Sequence, residues 1–533
     1  MSVLRRIYLL FLILLLGYAC RKPTSASWDV DVVFPVIKSS LNIRNFIGDS
    51  IFKADNTGLL SLNVTREITA IKLDSLLNLP DTSIVNSFTV PSPFGITLTP
   101  GQALTFFPTT ELNFNIPNGV ALKRVDVRSG LLKVKFTNDL SQPLDLLYII
   151  PSAIKNGQPL TLAVIVPPTL PNKDTLFKTY DLSGYSMNMR GLSGNVYNTI
   201  VQAYTVSLSP GASSVHANYA QGATAHLTYS KIVPDYVEGY FGQQTIDLPL
   251  DTARFDIFNN FQAANFLLNS ATLNFKILNE FGAEFTSSFS NIKSVNTINN
   301  TVVQLTNGLL SNININRATK AGYTIYPSIK TISITTDNSN IVPFLSNLPN
   351  KLTYQGKINV NPLGNLSGYN DFAFYNTGIK VAADINIPLR FNASYFKLIS
   401  SSTVDFANVK QLEHVNSGNF IISALNSYPF RAQLQAYLMN DQNQVIDSLF
   451  TPGNNFMERG VIDAQNIVIT ATQSKLNVPV TKGKIENLKK TKIIKLVTYF
   501  IMPTNPPGDI KLFENYSFDV NIIAELNYNV NRN

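Results

Sequence analysis

The sequence predicts a mainly β protein made of tandem antiparallel β-sandwich-like domains with few short helices. Three observations predict it. Short runs alternate apolar and polar residues, the period of a half-buried strand. Val, Ile, Thr, Phe and Tyr dominate these runs, and clusters of Asn, Gly, Pro and Ser punctuate them. The crossover helices of about 10–15 residues that a parallel sheet requires are missing. The 533 residues are 45% apolar and 14% charged, against about 25% charged in a typical domain. There is chain enough for large cores under a weakly charged surface, so general disorder is excluded. A single Cys excludes a disulfide framework and a Cys-based zinc site, and three His exclude a His-rich metal centre.

The first element is a leader. Arg5 and Arg6 precede an apolar run from Ile7 to Leu16, too short to span a ~30 Å hydrocarbon core. Gly17-Tyr18-Ala19 follows, then Cys20. This segment, 1–19 with the thiol after it, resembles a bacterial lipobox. The resemblance implies cleavage before Cys20 and acylation of its sulfur, the residue being the lipid-attachment site. Gly17 and Tyr18 depart from the usual Leu and small residue at those positions. Two or three acyl chains anchor stably, at ~0.8 kcal/mol per buried methylene. Cleavage removes two arginines and no acid, leaving a mild basic excess that suits acidic headgroups. Export makes nucleic acid an unsuitable partner.

Strands follow through the body, as in Leu131-Leu132-Lys133-Val134-Lys135-Phe136 and Leu273-Asn274-Phe275-Lys276-Ile277-Leu278. Helical patterns are confined to Ser339–Leu348 and Lys484–Lys490. An internal repeat organises the strands. Val127-Arg128-Ser129-Gly130, Leu268-Asn269-Ser270-Ala271 and Val415-Asn416-Ser417-Gly418 are each followed by seven residues and an Asn: Asn138, Asn279 and Asn426. The small residues are expected to start a strand from a tight turn, and the Asn to open a hairpin turn through Asx geometry. The segment before the first copy, Glu111–Ile116, matches Ala253–Phe258 before the second. The expected division is a tether and N-terminal β region over 20–110 and repeat domains over 111–245, 246–405 and 406–533.

The strand–Asn–turn–strand unit resembles the immunoglobulin-like sandwich of late-embryogenesis-abundant type 2 proteins. Over the whole chain, Cys20, Val233-Pro234-Asp235-Tyr236-Val237-Glu238-Gly239-Tyr240-Phe241-Gly242, Tyr326-Pro327-Ser328, Asn361-Pro362-Leu363-Gly364 and Asn370-Asp371-Phe372 resemble large secreted lipoproteins of Bacteroidota. That resemblance implies location and architecture and no chemistry.

Several residues qualify as sites, each with a plainer alternative. Tyr236, Glu238, Tyr240 and Phe241 could grip a glycan or partner chain; alternatively they lie on a strand crossing between domains, with Gly239 and Gly242 at a bulge or turn. Lys482, Lys484, Lys489, Lys490, Lys492 and Lys495 could face lipid headgroups from a helix that buries Ile485 and Leu488, or simply protect an edge. Asp74-Ser75-Leu76, Asp174-Thr175-Leu176, Asp251-Thr252-Ala253 and Asp447-Ser448-Leu449 resemble the acceptor pattern for O-linked glycans in Bacteroidota, with Ser75, Thr175, Thr252 and Ser448 as acceptors. Asp29 and Asp31 read as solvated residues on one face of a strand. His216, His226 and His414 are scattered, and no Gly-x-Ser-x-Gly elbow occurs.

No catalytic residue, metal or cofactor is expected. The functional expectation is a non-enzymatic outer-membrane lipoprotein presenting tandem β-domains for binding and assembly. Its partners would be the membrane, through the lipid anchor, and outer-membrane proteins. A glycan-binding surface protein and a carrier of lipid or another apolar ligand are the alternatives. Arg21-Lys22-Pro23 lacks the acids that often mark surface export, leaving the leaflet open.

Overall fold

Alternation decides each strand, and the burial it produces shows which face is inside. In the computed structural model Leu132, Val134 and Phe136 are buried, while Lys133 and Lys135 between them are not. The structure describes residues 27–44, 51–169, 175–258, 262–406, 415–451, 455–502 and 510–531, with Ile7, Leu412 and Gly453 as isolated positions. Cys20, Asp174 and His414 lie outside the described residues. The protein is mainly β, with 61% strand and 5% helix.

In chain order the N-terminal part holds β1 (Ser27–Leu41), β2 (Leu60–Lys72), α1 (Leu73–Leu76), β3 (Thr82–Thr89) and β4 (Ala103–Asn113). Then come β5 (Ala121–Asn138), β6 (Leu144–Lys155), β7 (Gln158–Val166), β8 (Leu176–Asp181), β9 (Thr199–Leu208) and β10 (Gly222–Tyr240). The middle part holds β11 (Gln244–Arg254), β12 (Thr272–Asn279), β13 (Phe285–Asn296), β14 (Thr301–Gln304), β15 (Ser328–Ile334), α2 (Ile341–Ser346), β16 (Lys351–Val360), β17 (Asp371–Phe374) and β18 (Gly378–Pro388). The rest holds β19 (Tyr395–Thr403), β20 (Val415–Asn426), β21 (Arg431–Met439), β22 (Val445–Ser448), β23 (Thr472–Pro479), α3 (Lys482–Lys489), β24 (Ile493–Ile501) and β25 (Phe518–Asn531). Shorter strands bridge these. The α2 and α3 helices fall on the two helical patterns; the single turn α1 has no periodicity to announce it.

Three sandwiches share one topology, and every ladder between their strands is antiparallel. In the first, β8-β5-β10-β3 faces β7-β6-β9-β4, the two joined through Ser186–Asn188, which pairs with both β5 and β6. The second sets β15-β12-β18-β2 against β14-β13-β16-β11. The third sets β23-β20-β25-β1 against β22-β21-β24-β19. Each module therefore repeats one order of six strands, plus the strand just before them (β4, β11, β19); in the second module β17 is inserted before the sixth and pairs with β10 of the first. The match of Glu111–Ile116 to Ala253–Phe258 reflects this, because β4 and β11 are equivalent strands.

The eighth strand of each sandwich comes from the N-terminal stretch. β1 lies on the third, β2 on the second and β3 on the first, in reverse order. The segment 20–110 thus supplies strands to three sheets and does not build one of its own.

Asn138, Asn279 and Asn426 occupy equivalent places, and the place differs from the expected hairpin. Each ends a strand of one sheet, and the next strand belongs to the opposite sheet. The Asn sits in an arch across the sandwich. The Ser-Gly pairs also differ from expectation. Ser129 and Gly130 lie inside β5, where inward positions change from odd (Val125, Val127) to even (Leu132, Val134, Phe136). The register against β10 slips at the same level. In β20 the slip falls between Val415 and Ser417. In these two copies the small residues mark a β-bulge rather than a turn, because the partner backbone comes too close for a side chain: a Cβ on Gly418 would stand 2.3 Å from the Glu525 carbonyl oxygen. In the second copy Ser270 and Ala271 lie outside the strands and lead into β12 as expected.

Most of the core is one contiguous apolar cluster running through the sheets, with a small separate cluster of Tyr236, Ala318 and Phe372. Aromatics fill it: Tyr148 stacks on Tyr204 at 4.5 Å in the first sandwich, and Phe396 stacks on Phe500 at 4.8 Å in the third.

Candidate functional site

Tyr236, Glu238 and Tyr240 lie at the far end of β10, and Phe241 follows directly after it. There β10 pairs with β5 on one side and β17 on the other, putting Glu238 opposite Arg124 and Phe372. This half-strand joins the first sandwich to the second. Gly239 sits at a register slip, where a Cβ would stand 2.3 Å from the Ala121 carbonyl oxygen. Gly242 has φ +73°, and a Cβ there would stand 2.1 Å from the Asn118 carbonyl oxygen. Both glycines are where the strand-crossing alternative expects them.

Glu238 is held from several sides. Its Oε1 is 2.7 Å from Lys123 Nζ and its Oε2 is 3.7 Å from Lys320 Nζ. The Tyr236 hydroxyl donates to Oε2. Lys320, on the hairpin Thr319–Ala321/Thr324–Tyr326, donates to the Tyr236 hydroxyl at 2.6 Å and lies 4.7 Å from that ring's centroid. Burial works against the charged carboxyl, but Lys123 and Tyr236 hydrogen bonds outweigh it and hold Glu238 below the ordinary Glu value. Burial, with Glu238 adding to it, pushes the Tyr236 phenol far up. The pair is therefore phenol and carboxylate at neutral pH, with no proton poised for transfer.

Beside it Asp371 is buried. Its Oδ2 accepts from the Phe241 N–H at 3.0 Å and from Asn361 Nδ2 at 2.8 Å, and its Oδ1 is 3.9 Å from Arg317 Nη2. Lys123, Lys320 and Arg317 are not legible as partners in the sequence, because Lys123 and Lys320 come from strands 115 residues before and 82 after Glu238, and Arg317 from a loop 54 residues before Asp371. Phe241 is fully buried and Tyr236 nearly so, leaving neither ring a face for an outside ligand. Tyr240 is half-exposed and meets Tyr369 edge-on at 6.2 Å; Tyr369 stacks on Tyr197 at 4.1 Å.

The lysine run is only partly free. α3 starts at Thr481, whose hydroxyl accepts from the Lys484 N–H at 3.3 Å, and it buries Ile485 and Leu488 as its pattern predicts. Lys484 pairs with Asp447 at 3.6 Å, Lys489 with Glu486 at 2.9 Å and Lys492 with Asp405 at 2.7 Å. Lys482 and Lys490 are exposed. Among the acceptor-pattern residues, Ser75 and Thr252 are exposed, and Thr175 and Ser448 are half-buried. His216 and His226 are exposed on strands. Asp29 and Asp31 accept from Asn529 and Asn527 across the β1–β25 pair at 2.9 and 3.0 Å. Among the described residues no group of three or more His, Cys, Asp or Glu could hold a metal, and no helix is long and apolar enough to cross a membrane.

No protein-family description matches the chain, and no curated protein does. Among solved structures it is similar to a protein described as secreted from Parabacteroides distasonis, at 13% identity, covering 53% of this chain and 82% of that one with a TM-score of 0.26. It is also similar to a structure of the Gt strain of infectious bursal disease virus, at 9% identity over 92% of this chain and 87% of that one, TM-score 0.13. A third is an archaeal virus protein with a triple jelly roll fold, at 9% identity over 81% and 91%, TM-score 0.11. With TM-scores this low, these likenesses assign the chain to no family.

Proposed function

We propose that the chain is an outer-membrane lipoprotein, anchored through Cys20, that does no chemistry of its own and presents three β-sandwiches as a binding and assembly surface. The observation that carries this reading is the fate of the most distinctive segment. Its carboxylate is spent on Lys123, Lys320 and Tyr236, and so fastens one sandwich to the next. A group engaged in this way serves the rigidity of an extended surface rather than turnover. The anchor is close to the body, because the first strand starts seven residues after Cys20. The test is Cys20→Ser. It should abolish palmitate labelling and leave either a soluble protein or an uncleaved precursor. Labelling that persists in the variant sinks the anchor.

A further inference from the structure

A cavity of about 370 Å³ opens where the first sandwich meets the second. Leu73, Leu77, Ile232 and Pro234 give it an apolar floor, and Lys72, Asp74, Asn78, Tyr375 and Asn376 surround them. The cavity exists because β10 slips register three times between Ser230 and Tyr236. Lys231, at the slip, takes φ +54°, and its N–H is held by the Asp81 carboxylate at 2.9 Å.

Tyr375 is fixed at the opening. Its N–H donates to the Asp235 carbonyl at 2.8 Å, and the Arg128 guanidinium lies 4.1 Å from its ring centroid. Arg128 is itself held by Asp235 at 3.1 Å. Tyr375 is nonetheless 40% exposed as a residue. It is a pre-oriented aromatic platform beside an apolar floor.

The polar groups narrow the ligand. Lys380 is engaged by Glu280 at 3.4 Å. That leaves one cation, Lys72, one anion, Asp74, and the amides of Asn78 and Asn376, a rim without net charge. An extended peptide adds to a sheet through an open edge, but β2 and β18 are already paired here, Lys72 opposite Gly378. An acyl chain needs a dry, uniformly apolar slot, which this mixed rim does not offer. A sugar ring has the matching chemistry: C–H faces that pack on an aromatic ring, and hydroxyls that both donate and accept. At ~30 Å³ per water the volume equals about a dozen waters, enough for one or two sugar rings.

We propose that this cavity binds a neutral mono- or disaccharide unit of a glycan, with Tyr375 as the stacking platform. The inference goes beyond the assembly reading and does not depend on the anchor. The test is calorimetric titration and saturation-transfer NMR of the full-length chain in detergent with maltose, lactose, chitobiose and digalacturonate. A neutral disaccharide should bind saturably. Tyr375→Ala should weaken it about tenfold or more, and Tyr375→Phe should keep it. Unchanged melting temperatures show that both variants fold. The proposal is overturned by no saturable binding of any sugar, by binding indifferent to Tyr375→Ala, or by preference for digalacturonate. Cys20→Ser should leave sugar binding intact, so failure of one reading is distinguishable from failure of the other.

Discussion

Asn138, Asn279 and Asn426 do the same work with the same atoms. Each side-chain oxygen accepts from the N–H two residues on, at 3.0, 2.9 and 2.9 Å. Each amide nitrogen donates to the carbonyl four residues on, at 2.8, 3.1 and 2.8 Å, and to a second carbonyl beyond, of Val166, Asn316 or Glu458. All three are fully buried. Only a short side chain with one acceptor and two donors satisfies the arch: Asp lacks the donors and Gln is a methylene too long. Asn→Ala at any of them should cost about 2–4 kcal/mol, because buried backbone groups lose their partners. Asn→Asp should cost more. Denaturant melts of the three variants check this, and a near-neutral result at one position would break the equivalence. Glu238 gives a second, pH-dependent expectation. A carboxylate depressed in the folded state contributes stability that is complete above its unfolded value and is lost as pH falls through the folded one. Glu238→Gln should therefore be less stable than the parent by a constant amount above about pH 5, with the gap closing below the ordinary value of 4.5.

At the scale of elements, what was legible in the sequence was local. Alternation marked the strands, and the Asn spacing marked the repeat, because both are set by neighbours within about a dozen residues. The sheets were not legible. The same Asn geometry serves a hairpin or an arch, and only the sheet assignment of the next strand separates them. Ser-Gly has the same ambiguity between turn and bulge, resolved by the partner strand's approach. The consequence is testable at β20. Gly418→Ala puts a methyl into the β25 backbone, and should destabilise by about 2–3 kcal/mol. Gly308→Ala, which meets nothing within 4 Å, is the control and should change little. The cavity beside Tyr375 was equally illegible, since its walls come from three separated stretches of chain.

For the molecule as a whole, the N-terminal stretch ties the modules together. β1, β2 and β3 each close the edge of a different sandwich, and an edge left open is a template for unwanted pairing. Deleting 27–41 should bare the β25 edge. Limited proteolysis should then cut first in the third sandwich, with the first and second surviving longer. Cleavage spread evenly over all three would show that the modules do not melt separately.

The pairing of β1 with β25, Ser27 against Asn531 at one end and Leu41 against Phe518 at the other, also sets a schedule. β1 is made before the other strands of the sandwiches, and its mate after all of them. The first sandwich can close when β10 arrives and the second when β18 does. The third must wait, with β1 unpaired meanwhile. A chain cut short before β25 would carry a permanently unpaired β1. The arrival of β25 is thereby the event that closes the third sandwich, and any copy lacking it shows a protease an open strand edge.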